Sequence, residues 1–501
     1  MNHLRPTLGL LLAALTTWTP AEAGTKLFTA AVSLGRVRRG TIGSTLVISP
    51  DSRRLAYVLQ SGDKQRVCVN QLRGEPYDGI GKGSLTFSPD GKHVAYMAAR
   101  GNQRLVVVDG AEGKAYDGIG TGCPVFSPDA TRVAYWATRG GKRVVVVDGV
   151  ESQAWDAVAA GPPQFSADGR RVAYGARRGD QWFVVSEQPS GPYEAIGHIA
   201  WSPDGTRLAF AARRGGTWLV VVDGAESKPC DGIGEGFPRF SPDGRRVAYY
   251  AQRGDKWLVV ADGTESKPYD GIAASGPIFS PDGKRVAFAA RRGAKHLVVV
   301  DGAEGGEFDG TGAGTLRFSP DGGRLAYVAT RGGKHLVVTD GSAGKPYDAI
   351  GGAGPLFSPD GKRLAYAAQR ADQWLVVVDG TEGKPCDAVG RGSLAFSPDG
   401  TRLAYTAQRD GKALAVLDGA PSRACDAIAA GPIAFSPDGR HAAWQAQRGD
   451  DWYIVVDGAQ CAQSDGFVRG SRLVFDSPTS LHALAHRTRH LFRVHVEITA
   501  E

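Results

Sequence analysis

The chain has 501 residues, 42% of them apolar, and a formal net charge of +7. That apolar share excludes a disordered chain. A charge this mild for the length permits anionic partners without implying nucleic acid, and none is expected.

Residues 1–23 read as a secretory signal. MNHLR supplies one positive charge, PTLGLLLAALTTW is an apolar run too short to span a bilayer, and Ala21–Ala23 is a small-x-small cleavage site before Gly24. The segment holds one Arg and one Glu, so its removal leaves the charge at +7. No cysteine follows the cut to carry a lipid, and no other run of 18 apolar residues occurs. The mature chain is expected to be exported, periplasmic or secreted, with no transmembrane segment.

From Ser49 onward the sequence repeats. The Pro of SPD falls at 50, 89, 128, 203, 242, 281, 320, 359, 398 and 437, with Ala167 in its place once. The spacing is 39 residues, except 36 between Ala167 and Pro203. A degenerate twelfth copy closes the chain. A period of this size marks a propeller, solenoid or array.

The copy at 355–390 shows the elements. PLFS is a short apolar strand and SPDG a turn, with Pro setting φ and Gly supplying a positive one. KRLAYAAQ is a second strand and WLVVVDG a third, ending on a hairpin-type Asp-Gly. KPCDAVG reads as the fourth. Tight turns make the four antiparallel. The middle strands are apolar on both faces, yet no segment has the helical spacing needed to cover them. Small sheets packed face to face around an axis solve that problem, which is the β-propeller solution.

FSPDGKRLAY in this context resembles the WD-repeat-like propeller repeat of the TolB C-terminal domain, found also in prolyl-oligopeptidase-type and tricorn proteases. The resemblance covers nearly all of the mature chain. It implies the fold and says little of function. Those peptidases carry a separate hydrolase domain, for which the repeats leave no residues here.

The fold class is therefore all-β: about twelve four-stranded blades of 39 residues. Propellers usually have 4–8 blades, so two tandem rings are expected, 46–276 and 277–501. Residues 24–45 are expected to supply the outer strand missing from the last copy.

Three acidic positions recur: the Asp of SPDG, the Asp of VVDG, absent from the first copy (Asn70) and the fourth, and the Asp after an aromatic (YD), once Glu194. The first two read as turn caps, since a catalytic constellation is asymmetric and not copied eleven times. Arg recurs at the second turn, and a ring often starts the third strand. Cations interleaved with aromatics suit anionic polymers or sugars. Arg253, Arg292, Arg331, Arg370, Arg448, Trp218, Trp257, Trp374 and Trp452 are the candidate binding rim. The competing structural reading pairs each Arg with a YD Asp and packs each Trp between blades.

Cys230, Cys386 and Cys425 stand where other copies have an aromatic, and read as small buried hydrophobes. His482, His486, His490 and His495 read as exposed residues of a degenerate blade rather than a zinc site. No G-x-S-x-G, H-E-x-x-H or phosphate loop occurs. No catalytic set, metal or cofactor is assigned. The expected function is a non-enzymatic binding module for a protein, glycan or cell-envelope partner. The alternatives are a lyase or glycosidase with a site in a central funnel, signalled by outliers such as Ala167, Glu194 and His198, and a rigid scaffold.

Overall fold

The computed structural model describes residues 25–38 and 40–500, the side chains of Thr25 and Ala500 excepted. The signal segment lies outside the described residues. All regular structure among those described is β, arranged in twelve antiparallel sheets.

Blade 9 represents the repeat. Its inner strand comes in two pieces, Ala349–Ile350 and Leu356–Phe357, both paired with Leu364–Arg370. Next come Gln373–Val378 and an outer strand, Thr381–Glu382, extended by a bridge between Trp374 and Cys386. The blade boundary therefore falls between Cys386 and Asp387, inside the stretch read from sequence as one fourth strand. The Asp387 N–H already donates to Gln408 of the following blade, 2.9 Å away. The half KPC closes one sheet while DAVG opens the next.

The turns follow from their residues. In SPDG, the Ser358 hydroxyl donates to Asp360 Oδ1 at 2.5 Å, and Gly361 takes φ +73°. Asp379 and Gly380 both have positive φ, +51° and +81°, which gives a hairpin the twist its strands need.

The second and third strands are buried on both faces because each blade lies between two others. Consecutive blades share apolar clusters all along the chain. Blades 5, 6 and 7 contribute to a single one, with Val220, Tyr249, Leu258, Phe288 and Leu297. Blade 12 packs back on blade 1 through Leu34, Leu484 and Leu491 against Leu55, Tyr57 and Leu59.

The twelve blades thus form one ring, and the expected pair of rings is corrected. Position 276/277 falls between the two halves of blade 7's inner strand, at a junction as apolar as its neighbours.

Thr25–Arg36 pairs antiparallel with His490–Ala500 as the outermost strand of blade 12. Blade 1 begins at Thr41, so the closing strand and its connector end before residue 45. The two ends of the described residues are held in one sheet.

Candidate functional site

Two sets of polar contacts cross the blade junctions and use most of the repeated charges. At one edge, Arg363 donates through Nε to Asp379 Oδ2 (3.3 Å) and through Nη1 to the Thr401 carbonyl of blade 10 (2.5 Å). Its guanidinium lies 5.3 Å from the Phe396 ring, also of blade 10. The same arrangement recurs with Arg132, Arg207, Arg246, Arg285, Arg324 and Arg402. Both carboxylate oxygens of the VVDG Asp are engaged, since Leu364 N–H donates to Asp379 Oδ1 at 2.7 Å.

At the opposite edge, Arg370 makes a two-pronged bond to Glu382 (2.8 and 2.6 Å). The Tyr347 hydroxyl of blade 8 donates to the same carboxylate at 2.9 Å, and the guanidinium stacks 5.3 Å over that ring. The Arg370 and then the Tyr347 hydrogen bonds pull the Glu382 carboxyl down to about 2. Burial and the Glu382 contact raise the Tyr347 phenol.

The rim arginines therefore pair with the Glu of VVDG-x-E and not, as the structural reading of the sequence had it, with the YD Asp. That Asp is taken by the lysine opening the third strand, as in Lys256–Asp270 and Lys295–Asp309, and by a turn N–H. The lysine is the nearer cation across the strand, so it displaces the arginine as partner.

The candidate rim divides accordingly. Arg253 binds Glu265 (2.7 Å) and Arg292 binds Glu304 (2.5 Å). Arg448 donates to Gln460 Oε1 at 3.1 Å. Arg331 lies 4.7 Å over Phe308, and because Ala343 replaces the glutamate it has no carboxylate partner among the described residues. Where Cys230 replaces the ring, Arg253 Nε is buried without a hydrogen-bond partner. Trp218 and Trp257 are half-buried against the cluster of blades 5–7. Trp452 meets Phe467 edge-on at 6.3 Å.

Trp374 is likewise half-buried, against the cluster of blades 9 and 10, but it also borders open space. It lines a cavity of about 420 Å³ on the inner wall, with Arg317, Arg391, Gly351–Gly354, Leu356 and Val389. Arg317 reaches from blade 8 to the Ala353 carbonyl of blade 9 (2.9 Å), and Arg391 is exposed on blade 10. No acidic residue lines this groove.

Arg317 and Arg391 belong to a wider set. The twelve inner-strand stretches carry exposed Lys82, Arg239, Arg317, Arg391, Arg469 and Arg472 against one carboxylate, Glu235. His198 lies on the same wall, where surrounding protein and then the Arg239 charge hold its imidazole below the ordinary range. None of the six cations was singled out from sequence. They were visible only as departures from the uncharged residues that most other copies carry at the same offsets after YD.

Comparison with known proteins gives folds only. The structure is similar to a eukaryotic initiation factor (16% identity, 68% of this chain and 94% of that one, TM-score 0.36). It is also similar to TolB from Acinetobacter baumannii (18%, 52% and 79%, TM-score 0.22) and to a GH74 enzyme from Niastella koreensis (12%, 94% and 96%, TM-score 0.24). No family model matches the chain, and no curated protein does.

The tail histidines need one correction. His482 is fully buried, not exposed, with Nδ1 2.7 Å from Asp476 Oδ2 and Nε2 2.8 Å from the Asp51 carbonyl of blade 1. It takes the place of Ala365 in the repeat, and closing the ring covers it. All six cysteines are free and buried.

Proposed function

We propose that this chain is an exported, non-enzymatic binding module whose inner wall receives an acidic glycan. The groove of Trp374, Arg317 and Arg391 carries this reading. An indole offers a stacking face to a sugar ring, and two guanidinium groups without acidic neighbours offer paired donors to a carboxylate. The basic inner wall extends that attraction along a polymer. Export rests on the N-terminal segment.

The test is calorimetric titration with polygalacturonate and with a neutral glucan. The acidic polymer should bind, the neutral one should not, and Trp374→Ala or Arg391→Ala should weaken binding about tenfold, the loss of one strong contact. Equal binding by wild type and both variants would remove the groove. Cleavage of the polymer, abolished by His198→Ala, would replace binding with catalysis.

A further inference from the structure

The junction of blades 12 and 1 departs from the others at the place where the Arg–Glu–Tyr contact normally sits. Aligned on the repeat, Ser61 stands where blade 2 has Arg100, and Arg73 stands where it has Glu112. The pair that is bidentate in blade 2 (Arg100 to Glu112, 2.9 and 2.5 Å) therefore has no counterpart in blade 1. The space is a cavity of about 530 Å³ lined by Arg36, Val37, Arg38, Leu59, Gln60, Ser61, Arg73 and Arg489.

Three separate segments bring the four arginines together. Arg36 ends the closing strand and Arg38 lies in its connector. Arg489 lies in the last hairpin turn of blade 12, whose carbonyl accepts the Val37 N–H at 2.6 Å. Arg73 comes from the outer strand of blade 1. Gly40 then turns the chain into blade 1 with φ +90°, where any Cβ would sit 2.4 Å from the Gln60 carbonyl oxygen. The Val37 hydrogen bond holds the residue next to Arg38 against blade 12.

No carboxylate lines the cavity, and none of the four arginines has an ion pair among the described residues. At most other junctions the arginine at this position meets a glutamate or an aromatic face, and Arg409, Arg448 and Arg487 meet the Pro385 carbonyl, Gln460 and the Gln463 carbonyl instead. All four are exposed, so water screens much of their mutual repulsion, and an anion entering the concavity relieves what remains. Planar guanidinium forks converging from several sides fit a tetrahedral oxyanion better than a single carboxylate.

We propose that this cavity binds a phosphoryl or sulfuryl group, either free or as a lipid headgroup. The site is independent of the inner-wall groove.

The probe is inorganic pyrophosphate in calorimetry, alongside sedimentation with phosphatidylglycerol vesicles and with phosphatidylcholine vesicles as the neutral arm. The informative variant is Arg73→Glu, because glutamate is the residue that other blades carry at this position, so the local fold accommodates it. Wild type should bind pyrophosphate or sediment with the anionic vesicles, in a salt-sensitive manner. Arg73→Glu and Arg489→Ala should each weaken this at least tenfold with unchanged melting temperature, while Trp374→Ala should leave it intact. Binding of pyrophosphate alone identifies a free anion, and binding of vesicles alone a headgroup. Absence of both, or binding undiminished in Arg73→Glu, overturns the proposal.

Discussion

The repeated junctions and the closing seam solve the same problem with different residues. At a repeated junction, an apolar cluster is flanked by two charge contacts in which nearly every cation meets a carboxylate or a ring. At the seam, the first contact is rebuilt from Arg53, Asp476 and buried His482, with Arg53 Nη2 2.6 Å from Asp476 Oδ1. The second is replaced by four arginines that have no ion pair among the described residues. The closing strand also leaves a gap of about 680 Å³ beside Cys461, Phe492 and Val494. Repetition makes each blade an adequate partner for the next, but the ends of the chain need residues that no other copy has. Those residues are released from the pattern and are free to take on another role.

Acid should do the most damage, and mainly to the repeated half. Ten SPDG aspartates, from Asp90 to Asp438, are held below the ordinary range, chiefly by the hydroxyl of the serine two residues earlier. Asp90 and Asp204 fall to about 2. A carboxyl depressed in the folded state contributes stability that is complete above its unfolded value, about 3.9, and is lost as pH falls through the folded one. At the seam, burial works to raise Asp476, yet the His482 and Arg53 hydrogen bonds hold it low. Urea midpoints should therefore drop steadily from about pH 4 to about pH 2. A midpoint at pH 3 equal to that at pH 5 would mean the turn contacts contribute nothing.

Packing is the next lever. Leu484 is fully buried at the seam and Leu297 is 1% exposed within blade 7. Truncation of either to alanine should cost about 3 kcal/mol in chemical denaturation. Only Leu484→Ala should also speed hydrogen exchange and proteolysis of Thr25–Arg36, because only that side chain supports the closing strand. Equal exposure of this strand in Leu297→Ala would show that the ring opens anywhere, and the seam would lose its distinction.

The blades were legible because strands apolar on both faces, Asp-Gly hairpins in most copies and a fixed period all agree. Ring number was not: the junction of blades 6 and 7 carries the same residues whether the ring turns there or continues. The rim was half legible. Arg and Trp at the second turn are in the expected places, but a sequence does not say that Glu265 or Glu304, twelve residues on, lies directly across two strands from its arginine. His482 looked like surface because histidine in a tail usually is, and its burial depends on a contact 431 residues away in sequence. The basic inner wall was missed for another reason. The cations are scattered singly, one or two per blade, and become a patch only when the ring places their inner strands around one axis.

Two smaller changes separate the parts of the repeated contact. Tyr347→Phe keeps the ring under Arg370 but removes the hydroxyl that donates to Glu382, and should cost about 1 kcal/mol. Phe308 already stands at this position between blades 7 and 8, so the ring alone is tolerated. No loss of stability would assign the tyrosine purely to stacking.

The smallest effect comes from completing what is missing. Ser342–Ala343 is the exposed outer strand of blade 8, so Ala343→Glu has room to reach Arg331 as Glu382 reaches Arg370. Phe308 has no hydroxyl to contribute, which isolates the ion pair. The gain should be about 0.5 kcal/mol, typical of exposed pairs, and should vanish in 1 M salt or in the Arg331→Ala background. A gain that survives both would come from strand propensity and not from charge. The repeated Arg–Glu pairs would then be incidental to stability, and the four arginines at the seam would stand out less against the blades that have such pairs.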